Sequence, residues 1–211
     1  MSITTQYPII EELESNNSRL FKEEIIKREA EEDNIDFFEG CQLALDPMVS
    51  FGVKQVPERS DIDGQGLSWG EFCDLADQLQ KRELTGHAAR DAILEAMLQS
   101  HDAEWNKWYR RILIKDLRCG VSEKTINNVV KKVNKDYTIP VFKCMLAHDS
   151  ANHEKKLVGE KLLDYKLDGV RVLAIYDAEA DAVTMYSRNG KQFINFGHIE
   201  KEIVDTIASK F

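Results

Sequence analysis

The chain has 211 residues, of which 43% are hydrophobic and 31% are charged, and its formal net charge is −9. This length and hydrophobic content suffice for one large or two modest domains, and the sparse glycine and proline exclude a low-complexity chain. The amino terminus shows no basic region followed by an apolar core, and no apolar run approaches the ~20 residues that cross a bilayer. We therefore expect a soluble protein of the cytoplasm, with no membrane partner.

The charges are unevenly distributed along the chain. Residues 1–104 carry 9 basic and 23 acidic side chains, whereas residues 105–135 carry 9 basic and only 2 acidic ones. A dense local block of positive charge matters more for binding an anionic partner than the net charge does. The acidic total therefore does not exclude nucleic acid.

The cysteines are scattered and form no Cys-x-x-Cys pair. This spacing predicts free thiols rather than a disulfide or zinc site, and we assign no metal ligands. They stand at Cys41, Cys73, Cys119 and Cys144.

The first part of the chain has helical periodicity. Residues 9–32 repeat apolar side chains at helical spacing, with a possible break at Asn16-Asn17-Ser18. A short helix over 34–45 is predicted to end before Asp46-Pro47, and 57–66 is predicted to be a loop. Ser68 and Glu71 predict a capping box that starts a helix from Trp69 to about Arg82.

Three further helices complete this half. They are predicted at 86–100, after Thr85, from Trp105 to about Leu117, and from Glu123 to about Asn134. Gly120 is predicted to end one helix in a left-handed turn, and Ser122 to cap the next. The aromatic side chains at the start of the middle helix are predicted to be core: Trp105, Trp108 and Tyr109.

The pattern changes after Tyr137. Runs rich in Val, Ile, Leu and Tyr predict strands within 160–167, 169–177 and 182–190, separated by turns at 177–181 and 188–190, and 196–211 predicts an amphipathic helix. The fold class is therefore α+β, with an all-helical domain at 1–136 and an antiparallel-sheet domain at 137–211.

The stretch "YKLDGVRV" (165–172) combines residues that suit a site better than a plain strand. A lysine that loses its proton can attack the α-phosphorus of a nucleotide, with a carboxylate and an arginine to position that nucleotide. Glycine permits a close backbone approach.

These residues resemble the Lys-x-Asp-Gly-x-Arg motif of the covalent nucleotidyltransferases, which comprise ATP-dependent DNA ligases, RNA ligases and mRNA capping enzymes. "YSRNG" (186–190) resembles their second motif, and "PVFKCMLA" (140–147) resembles the segment that begins the ligase catalytic domain. The resemblance implies that Lys166 is the adenylated nucleophile. It also implies that Asp168 supports the lysine and the nucleotide ribose and that Gly169 permits the close approach of the nucleotide. Arg171 and Arg188 are implied to contact the nucleotide or the 5′-phosphate at a nick.

The helical half favours DNA ligases among these relatives. "RRILIKDLRCGVSEKTIN" (110–127) is similar to a segment of the amino-terminal DNA-binding domain of ATP-dependent DNA ligases, and "KRELTGHAARDAI" (81–93) is similar to another part of it in T-even-type bacteriophage ligases. Backbone N–H groups at a helix amino terminus, with nearby cations, bind phosphate without reading sequence. The predicted DNA-binding residues are Arg110, Arg111, Lys115, Arg118, Gly120, Ser122, Lys124 and Thr125.

The resemblance implies an ATP- and Mg²⁺-dependent enzyme that acts on nicked double-stranded DNA through a lysyl-AMP intermediate. The catalytic domain is an incomplete nucleotidyltransferase (ATP-grasp-like) domain, because the family's downstream motifs have no counterpart before Phe211. We therefore expect a chain that is inactive alone, with the remainder encoded in the same or a separate reading frame. We also expect a monomer, in the host cytoplasm if the protein is viral. The alternatives are a non-catalytic DNA-binding fragment completed by a partner, and an RNA-ligase-like nucleotidyltransferase.

Overall fold

The structure is a computed structural model that describes residues 5–53, 55–60, 64–145, 148–162, 165 and 168–208, with side chains up to residue 206. It divides into two compact units, Met1–Val141 and Phe142–Phe211. The first is helical, and the second contains a two-stranded antiparallel sheet and a helix. The predicted α+β class is confirmed, while the functions assigned to 1–136 and 137–211 stay predictions.

The helices of the first unit follow the predicted periodicity closely. Their bounds are α1 Tyr7–Ser15, α2 Arg19–Glu31, α3 Ile35–Leu45, α4 Trp69–Gln80, α5 Gly86–Gln99, α6 Asp102–Glu104, a π-helical turn Trp105–Tyr109, α7 Arg110–Leu113 and α8 Glu123–Val133, with a 3₁₀ turn at Lys135–Tyr137. The predicted break between α1 and α2 and the end of α3 before Asp46-Pro47 are both confirmed.

Two predicted caps begin their helices. The Ser68 hydroxyl accepts from the Glu71 N–H, and the Glu71 carboxylate accepts from the Ser68 N–H at 2.9 Å, which completes the capping box of α4. The Ser122 hydroxyl accepts from the Thr125 N–H at 3.4 Å and caps α8. Each hydroxyl satisfies an N–H group that has no partner inside its helix.

The predicted helix from Trp105 to Leu117 was wrong at its carboxyl end. The helix ends at Leu113, because Lys115 adopts φ +62° and Arg118 adopts φ +54°, which no right-handed helix accommodates. The π-helical turn was not predicted either. Its wider i→i+5 bonding was not visible in the apolar periodicity.

Aromatic side chains fill the centre of the first unit. Trp105, Trp108 and Tyr109 are at most 1% exposed, as predicted. Phe72 stacks on Tyr109 with ring centroids 4.4 Å apart, and Phe37 stacks on Trp108 at 5.9 Å. The helices of this unit therefore share one core.

Residues just beyond α8 also pack within the first unit. The Tyr137 ring stacks on Phe38 with centroids 4.2 Å apart, and Asn127 exchanges two hydrogen bonds with the backbone of Ile139. These contacts explain why the first unit extends to Val141.

The second unit is built on a β-hairpin. Strands β1 (Val172–Asp177) and β2 (Ala182–Ser187) are antiparallel, with Val172 opposite Ser187 and Asp177 opposite Ala182. Helix α9 (Gly197–Ala208) packs on β2, where Val183 and Met185 are buried. The strand predicted within 160–167 is absent from the described part of that range, and β1 begins at Val172 rather than at Gly169.

Within the described ranges, no helix combines the length and apolar character needed to span a membrane.

Candidate functional site

The turn that joins α7 to α8 gathers several of the predicted DNA-binding residues. We call residues 118–125 the α8 turn. Arg118 and Gly120 have positive φ, and the Arg118 N–H donates to the Asp116 carboxylate at 3.0 Å. Ser122 then caps α8, with its hydroxyl 3.2 Å from that of Thr125. The predicted left-handed conformation of Gly120 is confirmed, but Gly120 does not end a helix, because α7 already ends at Leu113. The turn presents the amino terminus of an 11-residue helix.

Two cations in the α8 turn remain exposed to solvent. The Arg118 side chain is 49% exposed, and its guanidinium makes a long 3.8 Å ion pair with Asp116. Lys124 is exposed in the first turn of α8. Because exposed ion pairs contribute little, such cations can still attract an external anion.

Arg110 and Arg111 are instead bonded within the first unit. Arg110 donates to the Val56 carbonyl at 2.9 Å and pairs with Glu58 at 3.1 Å. Arg111 donates to the Leu117 carbonyl at 2.9 Å and pairs with Glu14 at 2.5 Å. Their geometry favours a role in holding the helices and the start of the α8 turn, and direct DNA contact stays a prediction for both.

Lys115 is also engaged internally. Its ammonium donates to the carbonyls of Leu43 at 2.8 Å and Asp46 at 2.6 Å. Burial lowers its pKa to about 8, against the opposing charge of Asp46. The structure therefore places Lys115 at the end of α3 rather than beside Arg118 and Lys124, and its DNA-binding role stays a prediction.

Lys22 lies against the α8 turn and was not among the predicted site residues. Lys22 is 5% exposed, and its ammonium donates to the Cys119 carbonyl at 2.7 Å across 97 residues of sequence. A signal was present locally, because Lys22 shares a helix face with the buried Ile25 and Ile26. A lysine on a buried face requires a partner, although the pattern does not say which.

In the second unit, the two arginines predicted for the nucleotide lie at one end of the hairpin. Because Val172 pairs with Ser187, Arg171 and Arg188 extend from the paired strands at the same end. The Arg171 guanidinium donates to the Met145 carbonyl, and Arg188 is exposed.

The "YSRNG" segment forms a tight turn after β2. The Gly190 N–H donates to the Ser187 carbonyl at 3.0 Å, and Gly190 has φ +83°. A side chain at position 190 would lie 2.9 Å from the Phe142 ring. The turn therefore requires glycine both for its positive φ and for the space beside this ring.

The lysine motif is only partly described. Lys166 lies outside the described residues. Asp168 and Gly169 are exposed, and nothing lies within 4 Å of the position that a Cβ would take on Gly169. The nucleotide-binding roles therefore stay predictions.

Across the described ranges, no three His, Cys, Asp or Glu side chains lie close enough to hold a metal ion together. These residues by themselves do not make a Mg²⁺ site.

The chain is similar to curated DNA ligases. The ligases of Enterobacteria phages T4 and T6 are each 26% identical over 207 residues, which cover 95% of this chain and 41% of each ligase. DNA ligase 4 of Arabidopsis thaliana is 37% identical over 68 residues, which cover 32% of this chain and 5% of that protein. No model of a protein family matches the chain.

Solved structures agree with these relatives. The structures titled Pmar-Lig_PreS3 and Pmar-Lig_Pre. superpose with a TM-score of 0.77, at 57% and 56% identity. The superposed regions cover 96% and 97% of this chain, and 46% of each of the two solved structures. The chain thus spans less than half the length of the relatives that it matches along nearly its whole length.

Proposed function

Since this chain is similar, over nearly its whole length, to the amino-terminal portion of DNA ligases of the T-even bacteriophage type, we propose that it contributes the nucleophile and a DNA-holding unit to ATP-dependent nick sealing. The first unit grips the duplex through the α8 turn. The second unit carries the adenylated lysine.

The reaction follows from the chemistry of the lysine motif. The neutral Lys166 amine attacks the α-phosphorus of ATP, forming a P–N bond as pyrophosphate leaves. The AMP then passes to the 5′-phosphate at the nick, which releases the lysine. Attack by the 3′-hydroxyl on that phosphorus forms the phosphodiester and expels AMP.

The observation that carries the proposal is the hairpin register. Pairing of Val172 with Ser187 brings the ends of two motifs, separate in sequence, to one end of a sheet. Arg171 and Arg188 then supply two guanidinium groups there, which suit the phosphates of a nucleotide or a nick.

The α8 turn supports the DNA-holding role. It combines exposed cations, Arg118 and Lys124, with the amino terminus of α8. Such groups contact phosphates without reading bases, as a ligase that seals any nick requires. Nick sealing itself is proposed for a protein that also holds the rest of the ligase, in the same chain or as a partner.

The test joins this chain to the remaining part of the 57%-identical ligase, in place of that ligase's own amino-terminal portion. With magnesium and ATP radiolabelled at the α-phosphate, the joined protein is expected to acquire covalent label and to pass it to nicked DNA. Lys166→Ala should abolish the label, whereas Lys161→Ala, which removes an exposed lysine nearby, should retain it.

Other outcomes separate the alternative functions. A folded joined protein that binds nicked DNA but never acquires label identifies a non-catalytic DNA-binding fragment. Label that passes to RNA ends and not to nicked DNA identifies an RNA-ligase-like enzyme. Either result contradicts the proposal.

A further inference from the structure

Lys22 of α2 holds a positive charge inside the first unit. The residue is 5% exposed, and one of its three ammonium N–H groups donates to the Cys119 carbonyl at 2.7 Å. The α8 turn begins beside that carbonyl. The remaining two N–H groups of Lys22 make no hydrogen bond within the described ranges.

Among the residues that the structure describes, no carboxylate forms an ion pair with this ammonium. Arg111, the other cation that holds the start of the turn, pairs with Glu14 at 2.5 Å, and Arg28 on the same helix as Lys22 pairs with Glu12 at 2.7 Å. Within the described ranges, Lys22 has no such ion pair. A buried ammonium without a counter-ion is costly, and an external anion would relieve that cost.

The ammonium lies where an anion at the α8 turn would meet it. A Cβ on Gly120 would stand 2.5 Å from the Lys22 Nζ atom, so this cation occupies the place of a side chain at position 120. Gly120 itself is exposed, and α8 begins immediately after Ser122. Lys22 thus adds a full charge to the partial charge of the helix amino terminus.

We propose that Lys22 binds a backbone phosphate of the nicked duplex at the α8 turn, with a phosphate oxygen as the counter-ion that the described residues of the first unit do not provide. This inference rests on the proposed DNA-holding role of that turn. Lys22 acts there together with Arg118 and Lys124, and its bond to Cys119 keeps its ammonium in place.

The test measures binding of the 211-residue chain to a fluorescent nicked duplex over a range of KCl concentrations. Lys22→Met is expected to weaken binding about tenfold and to reduce the slope of log K against log [salt] by about 1, since one phosphate contact is lost. Lys27→Met removes an exposed lysine from the same helix and should change neither quantity. Arg118→Ala and Lys124→Ala report independently on the turn.

The outcomes distinguish the inference from its premise. If the unsubstituted chain does not bind the duplex, or if Arg118→Ala and Lys124→Ala bind normally, the DNA-holding role of the turn fails. If those two variants weaken binding while a folded Lys22→Met has an unchanged salt slope, Lys22 is only structural and the inference is wrong.

If the Lys22→Met chain does not fold, a second measurement tests the inference on the unsubstituted protein. In proton–nitrogen spectra of the lysine side chains of the unsubstituted protein, nicked DNA should shift the Lys22 ammonium signal and leave that of Lys27 in place. A Lys22 signal that does not respond to saturating DNA overturns the inference.

Discussion

At the scale of single residues, Gly120 and Gly86 make an informative pair. Both have positive φ, at +66° and +55°. A side chain at position 86 would meet nothing within 4 Å, whereas one at position 120 would meet the ammonium of Lys22. Comparing an alanine substitution at position 86 with one at position 120 therefore separates the effect of backbone strain from the effect of displacing the Lys22 ammonium.

We expect Gly86→Ala and Gly120→Ala each to reduce the free energy of unfolding by about 1 kcal/mol, because alanine is strained in the left-handed region. The flexible end of Lys22 can move aside, so the added contact should change stability little. Gly120→Ala should nevertheless weaken nicked-duplex binding severalfold, since it moves the Lys22 charge. Urea unfolding and fluorescence anisotropy measure the two effects, and unchanged binding by Gly120→Ala would contradict this account of the turn.

At the scale of elements, the helical segment from α6 to α7 buries a carboxyl group with its aromatic residues. Glu104 ends α6 and is 2% exposed, and its Oε2 atom has no hydrogen-bond partner within the described ranges. Burial raises the pKa of Glu104, with a weaker opposing effect of the His101 charge. The Tyr109 hydroxyl, from the π-helical turn, donates to the Leu67 carbonyl at 2.9 Å.

Glu104→Gln is expected to raise the free energy of unfolding at pH 7 by about 1 kcal/mol, because it removes a carboxyl group whose ionisation is disfavoured by burial and preserves the shape of the side chain. A carboxyl whose pKa is raised on folding destabilises the fold as pH rises above the unfolded value of about 4.3. The gain should therefore shrink as pH falls toward 4.3. Urea unfolding at several pH values tests this, with the exposed Glu95→Gln as control, and a less stable Glu104→Gln at pH 7 would refute it.

At the scale of the whole molecule, the two units differ in how much apolar surface they bury. The aromatic core lies entirely in the first unit, whereas among the described residues of the second unit only Val183 and Met185 are buried apolar side chains. Several large apolar side chains of the second unit are exposed, including Leu162, Tyr165, Val170 and Ile194. Local stability follows the number of buried apolar contacts.

Hydrogen exchange of the intact chain should reveal this difference. We expect amides of β1, β2 and α9 to exchange at least about tenfold faster than those of α4 and the π-helical turn, after correction for intrinsic rates. Mass spectrometry of peptides from the two units measures both sets in one sample. Equal protection in the two units would contradict the expected difference in stability.

Much of the architecture was predictable because its causes are local. The Ser68–Glu71 box, the Ser122 cap and the left-handed Gly120 each depend on residues within a few positions, so the sequence indicates them directly. The same holds for the turns on either side of β2. The motifs also lie in continuous stretches, and their resemblance to DNA ligases agrees with the relatives found.

The sequence by itself determined the helical and strand periods, the caps and the resemblance to ligases. Only the tertiary structure decided which cations are available to a ligand. Arg110, Arg111 and Lys115 belong to the basic block, yet carbonyls and carboxylates far away in sequence engage them. Lys22 stands outside that block and reaches the α8 turn across 97 residues. Such pairings depend on which helices pack together, and local periodicity carries no information about that choice.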